Sequence, residues 1–302
     1  MLKLYMYCGR SSNQAYFLLA AVLFLAFIGC TAGDGRAPAL PRARAEAALD
    51  GPEPSPALPV EAGNPGRVIH VVVALCDNKY QGIVPVPERI GNGDDPQNNL
   101  YWGAGFGVKS FFRKQRDWSL LAEGPGPQPA ILERIVFKHR QSGVHLVADA
   151  YRGREIKQAT LDFLRFTAGS GPETIEVRSG SERYKLNTSG GADLIVYVGH
   201  DGLMDFTLPE YPQKADERRR QAIILACASK PYFERGLRQT GAEPLLWTTN
   251  LMAPEAYVLK AAVDGWMLNE SGERIRRRAA EAYNRYQNCG LRGALNLFAS
   301  GW

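Results

Sequence analysis

The chain lacks an excess of either charge, an internal repeat and a strong compositional bias. Lysine and arginine number 36 against 31 aspartate and glutamate, a net charge of +5, and two of the basic residues, Lys3 and Arg10, lie in the N-terminal segment. That balance argues against a nucleic-acid binder. With 45% hydrophobic and 22% charged residues, wholesale disorder, collagen and coiled coil are excluded. There is no G-x-S-x-G elbow, no P-loop and no H-E-x-x-H, so nothing supports a serine hydrolase, an NTPase or a zincin.

No apolar run is long enough for an ordinary membrane span either. Residues 15–29 (AYFLLAAVLFLAFIG) are uncharged and follow Lys3 and Arg10, which suits the core of a signal peptide over 1–29. The run stops at Gly29-Cys30. A small residue before a cysteine, after an apolar core, resembles the lipobox of bacterial lipoproteins; Phe27 departs from that pattern. The resemblance implies lipidation of Cys30 and an exported protein, held to the cell envelope by its lipid. An uncleaved signal anchor and an ordinary secretory signal remain alternatives. Residues 30–67 are rich in Ala, Pro, Gly and Arg and have no aromatic residue, which predicts a disordered tether. The folded domain is expected over 68–302. It retains Cys76, Cys227 and Cys289, an odd number, so at least one thiol stays unpaired within the chain. A Cys76–Cys227 disulfide is a competing expectation.

Within the domain, VIHVVVAL (68–75) is a β-branched apolar run suited to a central strand buried on both faces. A long turn-rich segment follows it. A helix is expected over 100–112, a strand hairpin over 134–140 and 144–150, and a helix over 152–166. Further strands are expected at 192–199, 221–228 and 244–249, with helices at 231–240, 256–268 and 273–288, the last stopped by Gly290. Strands alternating with helices predict an α/β fold, a three-layer sandwich with a mostly parallel central sheet. Ligands of such sheets bind at the carboxyl ends of the strands. The residues just after each apolar run therefore matter most.

Two run-ends carry complementary chemistry. LIVYVGHDG puts His200 in a glycine-flanked turn, and AIILACAS puts Cys227 at the next strand's end. An imidazole can take the proton that a thiol must lose to become a nucleophile. The amides of Gly199, Gly202 and Cys227 are candidates for an oxyanion hole. An apolar strand ending in His-Gly, then one ending in Ala-Cys, resembles the caspase–hemoglobinase fold of cysteine peptidases over roughly 68–250. The resemblance implies a caspase-like fold, with His200 as general acid/base and Cys227 as nucleophile. It also implies a specificity pocket from loops around Asp77–Lys79 and Thr249–Glu255, and a peptide or protein substrate. Asp201 stands between His200 and Gly202, where most members have His-Gly directly.

The pocket's preference stays open. Asp77, Asp94 and Asp95, beside Asn78, would select a basic residue; Lys79 or Arg89 would select an acidic one. The carboxylates of GNGDDPQNN (91–99) tilt the expectation towards basic. Hard oxygen ligands in that segment also admit calcium, although capped turns explain the same residues; no metal or cofactor is otherwise expected. Asp149 either lines the site or caps the following helix. The leading expectation is an exported cysteine endopeptidase; the alternative is a non-catalytic binding or scaffolding lipoprotein on the same fold.

Overall fold

The structure, a computed structural model, describes residues 66–302. The signal segment, Cys30 and the tether up to residue 65 lie outside the described residues. Ten strands and six helices follow in chain order: β1 (Val68–Ala74), α1 (Val108–Arg113), β2 (Trp118–Pro125), β3 (Ile131–His139), β4 (His145–Tyr151), α2 (Ile156–Thr167), β5 (Pro172–Ser179), β6 (Glu182–Ser189), β7 (Leu194–Val198), β8 (Gln221–Leu225), α3 (Ser229–Thr240), β9 (Glu243–Thr248), α4 (Ala256–Met267), α5 (Gly272–Gln287), α6 (Leu291–Leu297) and β10 (Phe298–Ala299). None of the described helices is long and apolar enough to cross a membrane.

Eight strands form one sheet in the order β10-β9-β8-β7-β1-β4-β3-β2. The five from β4 to β9 are parallel; β3, β2 and β10 add antiparallel edges. β1 lies in the middle, and its side chains alternate between two apolar layers. Ile69, Val71 and Val73 pack with Val258, Leu259 and Val263 of α4 and Ile275 of α5. Val68, Val72 and Ala74 face the opposite layer, with Ala159 and Phe163 of α2 and Phe233 and Leu237 of α3. Period-2 alternation in the strand and an apolar stripe on each helix thus produce three layers, as the sequence predicts.

The expected helix over 100–112 is a correction. Residues 100–107 form turns, and only Val108–Arg113 is helical. Glycines at 103, 105 and 107 each cost a helix about 1 kcal/mol, and a Cβ on Gly103 would lie 2.1 Å from the Gln97 carbonyl oxygen. Another correction concerns the end of α5. Asn288, in the left-handed region at φ 55°, closes it. Gly290 instead opens α6.

A buried charged network ties the separate β5–β6 hairpin to the sheet. Asp149 accepts from Arg134 Nε (2.7 Å) and Nη2 (2.8 Å) and pairs with His70 Nε2 (3.1 Å). Ser189 N–H, at the end of β6, donates to His70 Nδ1 (2.7 Å). Nδ1 is therefore the acceptor and Nε2 carries the hydrogen given to Asp149. Arg134 also reaches Glu173 of β5 at 3.2 Å. Of the two expectations for Asp149, neither describes it: it is a structural anion inside the protein.

Candidate functional site

β7 and β8 are parallel neighbours, with Val198 paired to Leu225. His200 and Cys227 each lie two residues past that pair, so both leave the sheet at its carboxyl edge at the same level. Between them the chain needs special backbone. Gly199 has φ +148°, and a Cβ there would lie 2.7 Å from the Ala74 carbonyl oxygen on β1. Its amide donates to the Leu225 carbonyl (3.2 Å), so it is spent on the sheet and drops out of the oxyanion-hole candidates. Gly202 is glycine for packing: a Cβ would meet the Phe206 ring at 2.7 Å.

His200 is 7% exposed and held from two sides. The Tyr197 hydroxyl donates to its carbonyl (2.8 Å), and its Nε2 lies 2.7 Å from Asp205 Oδ2. A 3₁₀ turn over Gly202–Met204 brings Asp205 back to the imidazole; Asp201 caps that turn by accepting from Leu203 N–H (3.0 Å). The same Asp205 oxygen accepts Gly82 N–H (2.9 Å), tying the loop after β1 to the histidine turn. Nδ1 of His200 has no hydrogen-bond partner among the described residues. The imidazole therefore has one nitrogen fixed by a carboxylate and the other available for proton transfer, the arrangement a general base requires.

Cys227 sits in a sharp strand-to-helix turn. The following residue, Ala228, is left-handed at φ 47°, ψ 35°, a conformation that costs a non-glycine residue about 1 kcal/mol. Hydrogen bonds offset that strain: Ala228 N–H to the Asn250 carbonyl (2.9 Å), Ser229 N–H to Thr248 Oγ1 (3.0 Å), Ser229 Oγ to the Ile224 carbonyl (3.0 Å), and the Thr248 hydroxyl to the Ala226 carbonyl. Cys227 is partly exposed as a residue, and its sulfur lies 3.4 Å from both the amide and the carbonyl oxygen of Met252, in the loop after β9. Burial pushes the thiol's pKa up, Met252 N–H opposes this, and the charge of Asp201 adds to it.

Cys76 and Cys227 are both free thiols, so the competing disulfide does not form. Cys76 is fully buried, and burial pushes its pKa up to about 12, against a hydrogen bond with Tyr101.

The expected pocket residues have internal partners. Asp77 is buried and accepts Lys79 N–H (2.8 Å) and Tyr80 N–H (3.2 Å) through Oδ1. Asn78 clamps both backbone groups of Val86, at 3.0 and 2.7 Å. Asp94 pairs with Arg152 (2.5 Å) and Arg154 (3.3 Å). Asp95 caps the turn at Gln97 and Asn98. Arg89 donates to Asn98 (2.9 Å). Lys79, Arg89 and Asp94 are exposed, and the Lys79 ammonium lies 4.9 Å from the Tyr80 ring. The oxygens that suggested a calcium site therefore serve turns and ion pairs, and no group of metal-ligating side chains occurs among the described residues.

Asp205 and Met252 were not singled out from the sequence. Asp205 had a signal, a second carboxylate five residues after the histidine in HDGLMD. Met252 acts through its backbone, to which residue type gives no clue. No protein-family model matches the chain, and no curated protein or solved structure is detectably similar to it.

Proposed function

We propose that the chain is a caspase-like cysteine endopeptidase, exported and lipid-anchored through Cys30, acting on peptide or protein substrates. The observation that carries this reading is the matched position of His200 and Cys227 beyond the paired ends of adjacent parallel strands. His200 Nδ1 takes the thiol proton. The sulfur attacks the scissile carbonyl, forming a C–S bond. The tetrahedral adduct collapses, the C–N bond breaks, and His200 returns the proton to the leaving amine. Water then attacks the thioester, giving up a proton to His200; the carboxylic acid leaves and the thiol is restored. The Gly202 and Cys227 amides are the donors assigned to the oxyanion. Asp205 fixes the imidazole throughout.

A second reading, a non-catalytic scaffold on the same fold, draws on the thiol pKa, which burial raises with a smaller contribution from the charge of Asp201. The test is cleavage of a diverse peptide library by the purified protein, together with labelling by an acyloxymethyl-ketone probe. Cleavage and labelling of the wild type, both lost in Cys227→Ala, are expected. Cleavage that persists in Cys227→Ala overturns the assignment; an inert Cys227 and no cleavage favour the scaffold.

A further inference from the structure

The chain enters the domain at the edge of the sheet opposite the candidate site. His200 and Cys227 follow the carboxyl ends of β7 and β8, whereas Gly66 and Arg67 precede β1 at its amino end. The seven residues of β1 separate these edges by roughly 20 Å. The amino edge carries a row of cations. Arg116 lies two residues before β2, Arg140 in the turn between β3 and β4, Arg67 just before β1 and Arg219 two residues before β8. In the sheet's strand order the row crosses from β2 to β8, roughly 25 Å at the usual interstrand spacing. Arg116, Arg140 and Arg219 are exposed and make no ion pair among the described residues. The carboxylates beside them are already matched: Asp117 by Lys260, Asp193 by Arg218, Asp216 by Arg220 and Glu217 by Lys214. Glu243, which begins β9, is the exception. Arg67 lies over the Trp266 ring (4.3 Å) and donates to the Met267 carbonyl (2.8 Å), which fixes the end of α4 to the same edge. There Leu268 is 65% exposed, more than any large apolar side chain of the described residues except Val84, which lies in the loop after β1 on the other edge.

We propose that the amino edge of the sheet is a docking face for an anionic lipid surface: the row from Arg116 to Arg219 meets the headgroups, Leu268 enters the interface, and the His200–Cys227 site points away from the bilayer. Unmatched cations on one face are what an anionic membrane attracts, and an exposed apolar side chain among them adds burial that a purely polar partner would not reward. The occupant follows from where the chain enters. Residues 31–65 connect Cys30 to this edge, a length that spans at most roughly 120 Å. Such a tether keeps the membrane at high effective concentration but does not by itself orient the domain. A surface too weak to bind vesicles unaided can then dock. The proposal rests on the anchoring through Cys30 for that concentration, and its test separates the two.

The experiment reconstitutes the full chain into vesicles of phosphatidylcholine, alone or mixed equally with phosphatidylglycerol, whose acyl chains are brominated near the headgroup to quench tryptophan. Leu268→Trp reports on the amino edge and Val84→Trp on the carboxyl edge, each read as the emission added to that of the wild type. Quenching of Leu268→Trp is expected in the anionic vesicles only, with Val84→Trp unquenched, and high salt should release it. Arg116→Gln, Arg140→Gln and Arg219→Gln, placed in the Leu268→Trp chain, should each lower the docked-to-free ratio about fivefold, the effect of one cation near an anionic surface. An unquenched Leu268→Trp, equal quenching in neutral vesicles, or quenching of Val84→Trp instead overturns the proposal. Flotation with the vesicles reads the anchor separately. A chain that floats without quenching keeps the anchor and rejects the docking face. A chain that does not float fails the anchoring reading, and quenching on mixing with excess anionic vesicles then decides docking by itself.

Discussion

One oxygen of Asp205 serves two donors, His200 Nε2 and Gly82 N–H. An amide cannot replace it. If Asn presents its NH₂, both donors face a donor; if it presents its carbonyl, a weaker neutral acceptor replaces the carboxylate and the imidazolium formed in catalysis loses its counter-charge. Asp205→Asn should therefore lower kcat for peptide cleavage on the order of 10²-fold with little change in KM and in melting temperature. Initial-rate kinetics alongside a circular-dichroism melt check this. Unchanged kcat would mean that something other than Asp205 orients the imidazole. His200 and Cys227 were legible in the sequence because each ends a short apolar run, and a run's end marks the sheet edge whatever the neighbours do. The partners of those residues were not. Asp205 reaches the imidazole only because a 3₁₀ turn reverses the chain, and the Asp149 network depends on β1, β3 and β4 meeting in space.

At the scale of elements, the central strands were legible as apolar, β-branched runs and the helices that pack on them by their apolar stripes, but the order of the strands in the sheet was not. The β5–β6 hairpin carried no such signal. Half the residues of its strands, PETIEVRS and ERYKLNTS, are exposed, and only Val177, Leu186, Thr188 and Ser189 are buried. With so little apolar burial, the hairpin's attachment depends on polar contacts. Arg134 is central to these: it holds Asp149 and reaches Glu173, while Ser189 binds the same network through His70. Burial alone would raise the Asp149 pKa; Arg134 and His70 overcome it and hold the carboxyl below its usual value. Arg134→Met keeps the aliphatic packing but strands a buried carboxylate. The expected loss is about 3 kcal/mol, the usual cost of removing one partner of a buried pair, read as a lower urea midpoint. Amide exchange in β5 and β6 should speed up more than exchange in β1 and β7. Uniform acceleration would place the network in the core's stability and not in the hairpin's docking.

For the whole molecule, the pair of layers around β1 makes Cys76 a reporter of global unfolding. It follows the innermost strand, which is flanked on both sides by parallel neighbours and covered on both faces. Its backbone is clamped by Asn99, whose Oδ1 accepts Cys76 N–H (3.0 Å) and whose Nδ2 donates to the Cys76 carbonyl (2.8 Å). With no exposed surface and a thiol pushed up to about 12, Cys76 has no route to a reagent in the native state. Cys227, by contrast, is partly exposed and should react without unfolding. Labelling of Cys76, followed by mass spectrometry of its peptide, should then proceed only through the open state. Its rate relative to that of the unfolded chain gives a free energy that should equal the global one, within the range of about 5–15 kcal/mol typical of domains. Added urea should lower both with the same slope, because that slope measures the surface exposed in the opening. A shallower slope for Cys76 would reveal a local opening of the loops over the carboxyl edge of β1. That edge is where the proposed substrate must enter, so a shallow slope would mean the entrance opens without the sheet coming apart.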